Sequence, residues 1–300
     1  MTHALSRRPG AVAVAGALTI AFSAILVKLA EVEPSTAAIF RCAYALPALG
    51  LLAWLEDRRH GRRPTCERRL AIPAGIFFAA DLIFWHHAIA DVGAGLATVL
   101  GNLQVVVVPF VAWAVLRERI EARLLVALPI VCSGVLLISG VLETGPYGEH
   151  PLRGVVFGIL TGLSYAGFLL VLRQSGSDLR RLAGPLFDAT AVATVAALIA
   201  GVALGEAELL PSWPEHAWLI TLALTSQVLG WLLIASSLPR LPAALTSVTL
   251  TIQPVGSVVL GVILLGEEPS SLQLVGVACI LTGLLAIARR RAPLRDPVPA

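Results

Sequence analysis

AGLATVLGNLQVVVVPFVAWAVLRERIEARLLVALPIVCSGVLLIS, from Ala94 to Ser139, aligns with AALTSVTLTIQPVGSVVLGVILLGEEPSSLQLVGVACILTGLLAIA, from Ala243 to Ala288, at an offset of 149 residues. Twelve of the 46 aligned positions are identical, a count that shared apolar composition inflates. Gln104 falls on Gln253, Glu118 on Glu267, Leu125–Val126 on Leu274–Val275, and Gly134 on Gly283. Both copies are dominated by apolar runs, and so is the chain around them.

The 300 residues are 57% hydrophobic and 14% charged, with a net charge of +3. Soluble domains carry about 25% charged residues, so the composition argues against a soluble enzyme, a disordered chain and a nucleic-acid binder. Cys42, Cys66, Cys132 and Cys279 are scattered without a CxxC pair, which argues against a disulfide framework or a zinc site. An all-α integral membrane protein remains.

A spanning helix needs about 20 mostly apolar residues. Ten stretches qualify: 10–30, 35–55, 70–90, 93–116, 123–141, 153–172, 184–205, 216–236, 243–265 and 272–288. Their length and the lack of dyad alternation predict helices, not barrel strands. The first run is too long for a signal-peptide core and is expected to stay as a helix. The connecting loops are too short to hold a further domain.

Short-loop arginines set the expected orientation. With a cytoplasmic N-terminus, 19 of the 22 basic residues fall inside: Arg7 and Arg8, six between Arg58 and Arg69, Arg117, Arg119 and Arg123, Arg173, Arg180 and Arg181, Arg240, and four between Arg289 and Arg295. Outside loops hold only Arg153, and they carry acids, among them Glu31, Glu33, Asp91, Glu206 and Glu267. Lys28 and Arg41 lie within spans, Lys28 near an end from which it can snorkel to water, as can Asp188. Both termini are thus expected in the cytoplasm. The expected location is the plasma (inner) membrane. Five spans per repeat, an odd number, give two halves of opposite orientation. Residues 1–145 form the first five-helix repeat, 150–290 the second, and 291–300 a cytoplasmic tail. Inverted repeats recur in secondary transporters, with the substrate near the midplane between halves.

These features resemble the EamA-type branch of the drug/metabolite transporter superfamily. The resemblance rests on ten spans in two five-helix halves and on Gln253-Pro254 followed by Leu265-Gly266-Glu267 at the end of the ninth span. The first half departs from that pattern, with Val105 where the proline is expected and Leu116-Arg117-Glu118 in place of Leu-Gly-Glu. Pro34-Ser35 followed by Arg41 also resembles the family's early pattern. The resemblance implies export of amino acids, metabolites or toxic compounds.

Charged residues in the bilayer are costly, about 2.5–3.5 kcal/mol each at its centre on insertion scales, and usually face the bundle interior. Asp81 and Asn102 each lie nine residues from the outer end of their spans, about 14 Å deep at 1.5 Å per residue. Arg41 is about 9 Å down. A shared cavity would let Arg41 hold an anionic group bidentately. Asp81 would bind an amine or carry a coupling proton. The alternative is that Arg41 and Asp81 pair and satisfy each other. Trp85 shares the face of Asp81. Gln227 lies mid-span with Trp231 one turn on, and Gln253 precedes Pro254, whose missing donor should kink the helix. The expected substrate set is therefore Arg41, Asp81, Trp85, Asn102, Gln227, Trp231 and Gln253, with Asp81 the proton-coupling candidate. Asn102 and Gln104 point to roughly opposite faces, so one of them at most lines the cavity. Each amide has a plainer reading as an interhelical hydrogen bond.

Adjacent His86 and His87 point about 100° apart and lack metal-ligand geometry, so no metal and no cofactor is expected. Glu118 and Glu267 are expected to cap helix ends or meet basic neighbours. The expected partners are a small-molecule substrate, the lipid bilayer and, if Asp81 titrates, protons. Nucleic acid is not expected, and a homodimer stays open. The leading function is a secondary active exporter working by alternating access. A channel, a facilitative permease or an intramembrane enzyme is the alternative, though no GxSxG, HExxH, P-loop or paired-Asp motif is present.

Overall fold

The computed structural model describes residues 9–116, 122–175, 180–237 and 243–288, and every regular element among them is helical. The order is α1 (Pro9–Ala30), α2 (Pro34–His60), the single-turn α3 (Thr65–Arg69), α4 (Ala71–Gly101), α5 (Gln104–Leu116), α6 (Ala122–Ile138), α7 (Pro151–Ser175), α8 (Ala183–Leu204), α9 (Glu215–Leu222), α10 (Trp231–Ser237), α11 (Ala243–Leu265) and α12 (Ser271–Ala288). A π-helical stretch, Ala223–Gly230, joins α9 to α10 in one continuous rod. Six helical stretches are long and apolar enough to cross a membrane, and shorter apolar helices cover 124–138, 251–265 and 271–287.

Three expected spans differ in detail. The third and fourth are joined in α4, where Gly93 alone leaves helical geometry at φ 85°, ψ 169°. The helix that restarts at Ala94 then breaks again at Asn102 and Leu103 before α5. The eighth is wound in part as π-helix where an α-helix is expected.

Gly93 shows how a side chain substitutes for the missing helical bonds. A helix start leaves its first N–H groups without partners, and in lipid no water replaces them. Here Glu267, 2% exposed, turns its carboxylate onto that start. The Ala94 N–H donates to Oε1 at 2.5 Å and the Gly95 N–H to Oε2 at 3.1 Å. A Cβ at Gly93 would sit 2.6 Å from the same carboxylate, and its φ is one that other residues rarely adopt, so position 93 needs glycine twice over. Glu267 thus caps a helix, one of the two roles expected for it. Its repeat mate Glu118 lies outside the described residues.

Glu56 does the same at the other end of the bundle. Its carboxylate accepts from the N–H groups of Leu182, Ala183 and Gly184 at 3.0, 2.9 and 2.9 Å, where α8 begins. Glu206 answers it at the start of α2: the Ser35 hydroxyl donates to its carboxylate at 2.5 Å, and the Thr36 hydroxyl to its backbone carbonyl at 2.6 Å. Ser35 and Gly184 are 149 residues apart, and Glu56 and Glu206 are 150 apart.

The crossing of α6 and α12 is reciprocal in the same offset. A Cβ at Gly134 would meet the Gly276 carbonyl and Ile280, both at 2.7 Å. A Cβ at Gly283 would meet the Ala127 carbonyl at 3.5 Å and Val131 at 2.4 Å. Adding 149 to Gly134 and subtracting it from Gly276 and Ile280 converts the first set into the second. Each residue therefore meets its counterpart's environment, as across a two-fold axis.

Removing the cap at Gly93 should be measurable. Glu267→Ala should lower stability by about 1–2 kcal/mol, the range for a lost N-terminal cap with its charge. Thermal unfolding of the detergent-solubilised protein reads this, and an unchanged midpoint would show the cap contributes nothing.

Candidate functional site

Arg41 sits on α2 among small residues: Ala37, Ala38 and Ala45 on its face are buried, which leaves its long side chain room to run between helices. It is itself 4% exposed. Its Nε–H donates to Gln227 Oε1 at 3.1 Å, and Gln227 Nε2 lies 3.4 Å from the Thr190 hydroxyl as donor. The guanidinium carbon lies 5.5 Å from the centroid of the Trp85 ring, within reach of a cation–π contact. Nη1 is buried and has no hydrogen-bond partner.

Arg41 borders a cavity of about 60 Å³. The first half of the chain contributes Asp81 and Trp85 from α4, Asn102 just beyond it, and Ser23 from α1. The second half contributes Thr161 and Tyr165 from α7, Trp231 from α10 and Gln253 from α11. Six of the seven expected residues thus border one space. Gln227 does not: it is fully buried behind Arg41 and holds it. Gln104 lies away from the cavity, while Asn102 lines it with Nδ2 donating to the Thr98 carbonyl at 2.8 Å.

Arg41 and Asp81 do not form an ion pair. Among the described residues Asp81 makes no hydrogen bond or salt bridge, so its carboxyl is left to the cavity. The pairing that would have made both residues inert is therefore not the arrangement seen.

Sequence reading missed the aromatic wall. Trp231 meets Tyr165, Phe168 and Phe78 edge-on at 6.2, 5.6 and 6.3 Å, and Phe78 stacks on Phe168 at 4.5 Å. Edge-on and offset rings are the favoured arrangements. Tyr165 and Phe78 border the cavity, but in an apolar run neither stands out from core residues.

The histidines serve packing and ties. His86 Nδ1 faces the Pro34 carbonyl at 3.0 Å, so that nitrogen carries the proton. His87 Nε2 lies 3.2 Å from Glu206. No group of three His, Cys, Asp or Glu among the described residues could hold a metal ion. Around them, Asp91 takes a bidentate contact from Arg153, Nε donating to Oδ2 at 2.9 Å and Nη2 to Oδ1 at 2.5 Å, and Gln273 bridges the Tyr147 backbone. Burial, with the Glu267 and Glu268 carboxylates nearby, pushes the Tyr147 phenol up. Asp188, expected to reach water, is instead largely buried against Arg63 at 2.9 Å.

A bundle of apolar helices that turns its charged groups inward defines a multi-pass integral membrane protein. The pattern of the EamA-like transporter family matches residues 9–140 and again 152–289, and the chain belongs to that family. It is 24% identical over 216 residues to "Uncharacterized transporter YetK" of Bacillus subtilis (strain 168), a match covering 67% of this chain and 62% of that one. A second protein of that organism, "Uncharacterized transporter YwfM", is 22% identical over 260 residues, covering 83% and 82%. An "Uncharacterized transporter" of Archaeoglobus fulgidus is 27% identical over 177 residues, covering 56% and 57%. A solved structure described as "Crystal structure of protein" shares the fold, with a TM-score of 0.60 at 15% identity over 94% of this chain and 96% of that one.

Gln227→Leu isolates the support of Arg41. Losing a hydrogen bond to a charged group should cost about 1.5–3 kcal/mol, read as a lower unfolding midpoint. Retention of the wild-type midpoint would mean that Arg41 finds another partner.

Proposed function

We propose that this protein is a secondary active transporter that exports a small metabolite, amino acid or drug-like compound by alternating access. The observation that carries the proposal is the buried Arg41 with a free Nη1, facing a cavity that also receives the unpaired Asp81. An isolated polar group is costly away from water, and a transported ligand offers partners to both. An anionic group would sit on Arg41, an amine or a coupling proton on Asp81, and Trp85, Trp231 and Asn102 would bound the rest. Gln253 comes from the opposite half, and Gln227 positions Arg41.

The size of the cavity favours a transporter over an open channel. About 60 Å³ admits a few water molecules and no metabolite, so the halves must part to load one. Membership of the EamA-like family and relatives named as transporters support the same reading.

The architecture proposed is ten spans in two inverted five-helix units, 1–145 and 150–290, with a tail at 291–300 and both termini cytoplasmic in the inner membrane. The reciprocal contacts at the 149-residue offset support the two-fold relation. The family pattern, matched twice along the chain, supports the division. Reporter fusions at His60 and Arg291 should read cytoplasmic and one at Gly148 external. An external signal from Arg291 would break the even count of spans.

Asp81→Asn keeps the shape of the side chain and removes its titration. If Asp81 carries the coupling proton, the variant in reconstituted vesicles should lose pH-driven transport and keep substrate exchange. If it binds an amine, both should fall together. Normal transport by both Asp81→Asn and Arg41→Gln at wild-type abundance would remove the cavity from the mechanism.

A further inference from the structure

A groove of about 420 Å³ lies where α3 and the start of α4 meet α8. Its polar end carries Thr65, Arg68 and Arg69, and its sides are Ile72, Phe187 and Val192. We infer that it holds an anionic phospholipid, with the phosphodiester on Arg68 and Arg69 and the acyl chains along the apolar sides.

Charge is the first argument. The one carboxylate in the groove, Asp188, is already held by Arg63 at 2.9 Å, and Arg63 is buried because Gly184 leaves it space: a Cβ there would lie 2.5 Å from its Nε. Arg68 stands farther from Asp188, at 3.7 Å, with its side chain 61% exposed. Arg69 is exposed and meets no described carboxylate. Two arginines thus share one carboxylate, a third has none among the described residues, and Arg68 and Arg69 face outward. Paired guanidinium groups suit phosphate oxygens, which they bind with planar, bidentate geometry.

Shape is the second. Further along, Gly75 brings α4 onto α8, since a Cβ there would meet Val192 at 2.5 Å and the Ala189 carbonyl at 2.6 Å. The groove is therefore the splayed end of an otherwise tight crossing. Beyond it, Ile76 and Val195 continue the apolar sides on the outward faces of the same two helices, more than half exposed. A soluble anion would use the arginines and leave those sides unmet, whereas a phospholipid satisfies both. Arginine clusters between helices near the membrane surface suit anionic headgroups.

The test uses the full-length protein in a neutral detergent, titrated with phosphatidylglycerol, phosphatidylcholine or inorganic phosphate while thermal unfolding is followed. Phosphatidylglycerol should raise the midpoint, and phosphatidylcholine and phosphate should not. In Arg68→Gln/Arg69→Gln the half-saturating lipid concentration should rise, by about five-fold for each arginine, the equivalent of ~1 kcal/mol. Arg58→Gln/Arg59→Gln, at the same end but outside the groove, should respond as wild type. Should the double variant not fold, the exposed Arg69→Gln alone should show the five-fold weakening. A wild-type response from the folded groove variants overturns the assignment. So does an equal loss in the Arg58/Arg59 variant, or a midpoint shift from phosphate alone.

Discussion

The Glu267 carboxylate on the amides of Ala94 and Gly95 is the contact on which the rest of the bundle depends. Hydrocarbon supplies no hydrogen bonds, so a helix that starts inside the bundle must find acceptors within the chain. Glu267 supplies them from a turn more than 170 residues away. That lets α4 break at Gly93 and restart in a new direction, and the restarted helix is the one that presents Thr98 and Asn102 to the cavity. Glu56 applies the same chemistry to the amides at the start of α8, and Glu206 ties the start of α2 through the hydroxyl of Ser35. Each of the three carboxylates joins the first half of the chain to the second.

Such ties suit the parting of the halves that the proposed transport requires. A carboxylate on two or three amides is strong enough to order a helix start and local enough to be released without unpacking a core. The small-residue crossing of α6 and α12 is different in kind. Gly134 and Gly276 bring backbones into direct contact, and close-packed interfaces resist gradual deformation. The carboxylate ties are thus the softer elements of the bundle, and the glycine crossing the stiffer one.

How much of this the sequence reveals depends on whether a property is local. Helix content, apolar length and the repeat can be read because each is carried by neighbouring residues or by a fixed offset. The charged and amide residues of the cavity stand out against an apolar background, which is why Arg41, Asp81 and Asn102 are legible. Tyr165 and Phe78 are not, because an aromatic in an apolar run has the same local pattern whether it faces lipid, core or cavity. Gln227 is legible as a mid-span amide, but its place behind Arg41 depends on how α2 meets the π-helical stretch, and no periodicity encodes that.

Asp188 and Asp81 show what distance along the chain hides. Both are aspartates in apolar helices, and sequence depth alone assigns Asp188 to the membrane surface and Asp81 to the interior. The difference that matters is the partner. Asp188 meets Arg63, whose access depends on Gly184 having no side chain. Asp81 has a guanidinium within the same cavity, yet Gln227 and Trp85 hold that guanidinium from the other sides. The first acid is spent on structure. The second is left with an unpaired carboxyl beside an arginine that also has a free donor, and polar groups without partners are costly to hold in so small a space away from water.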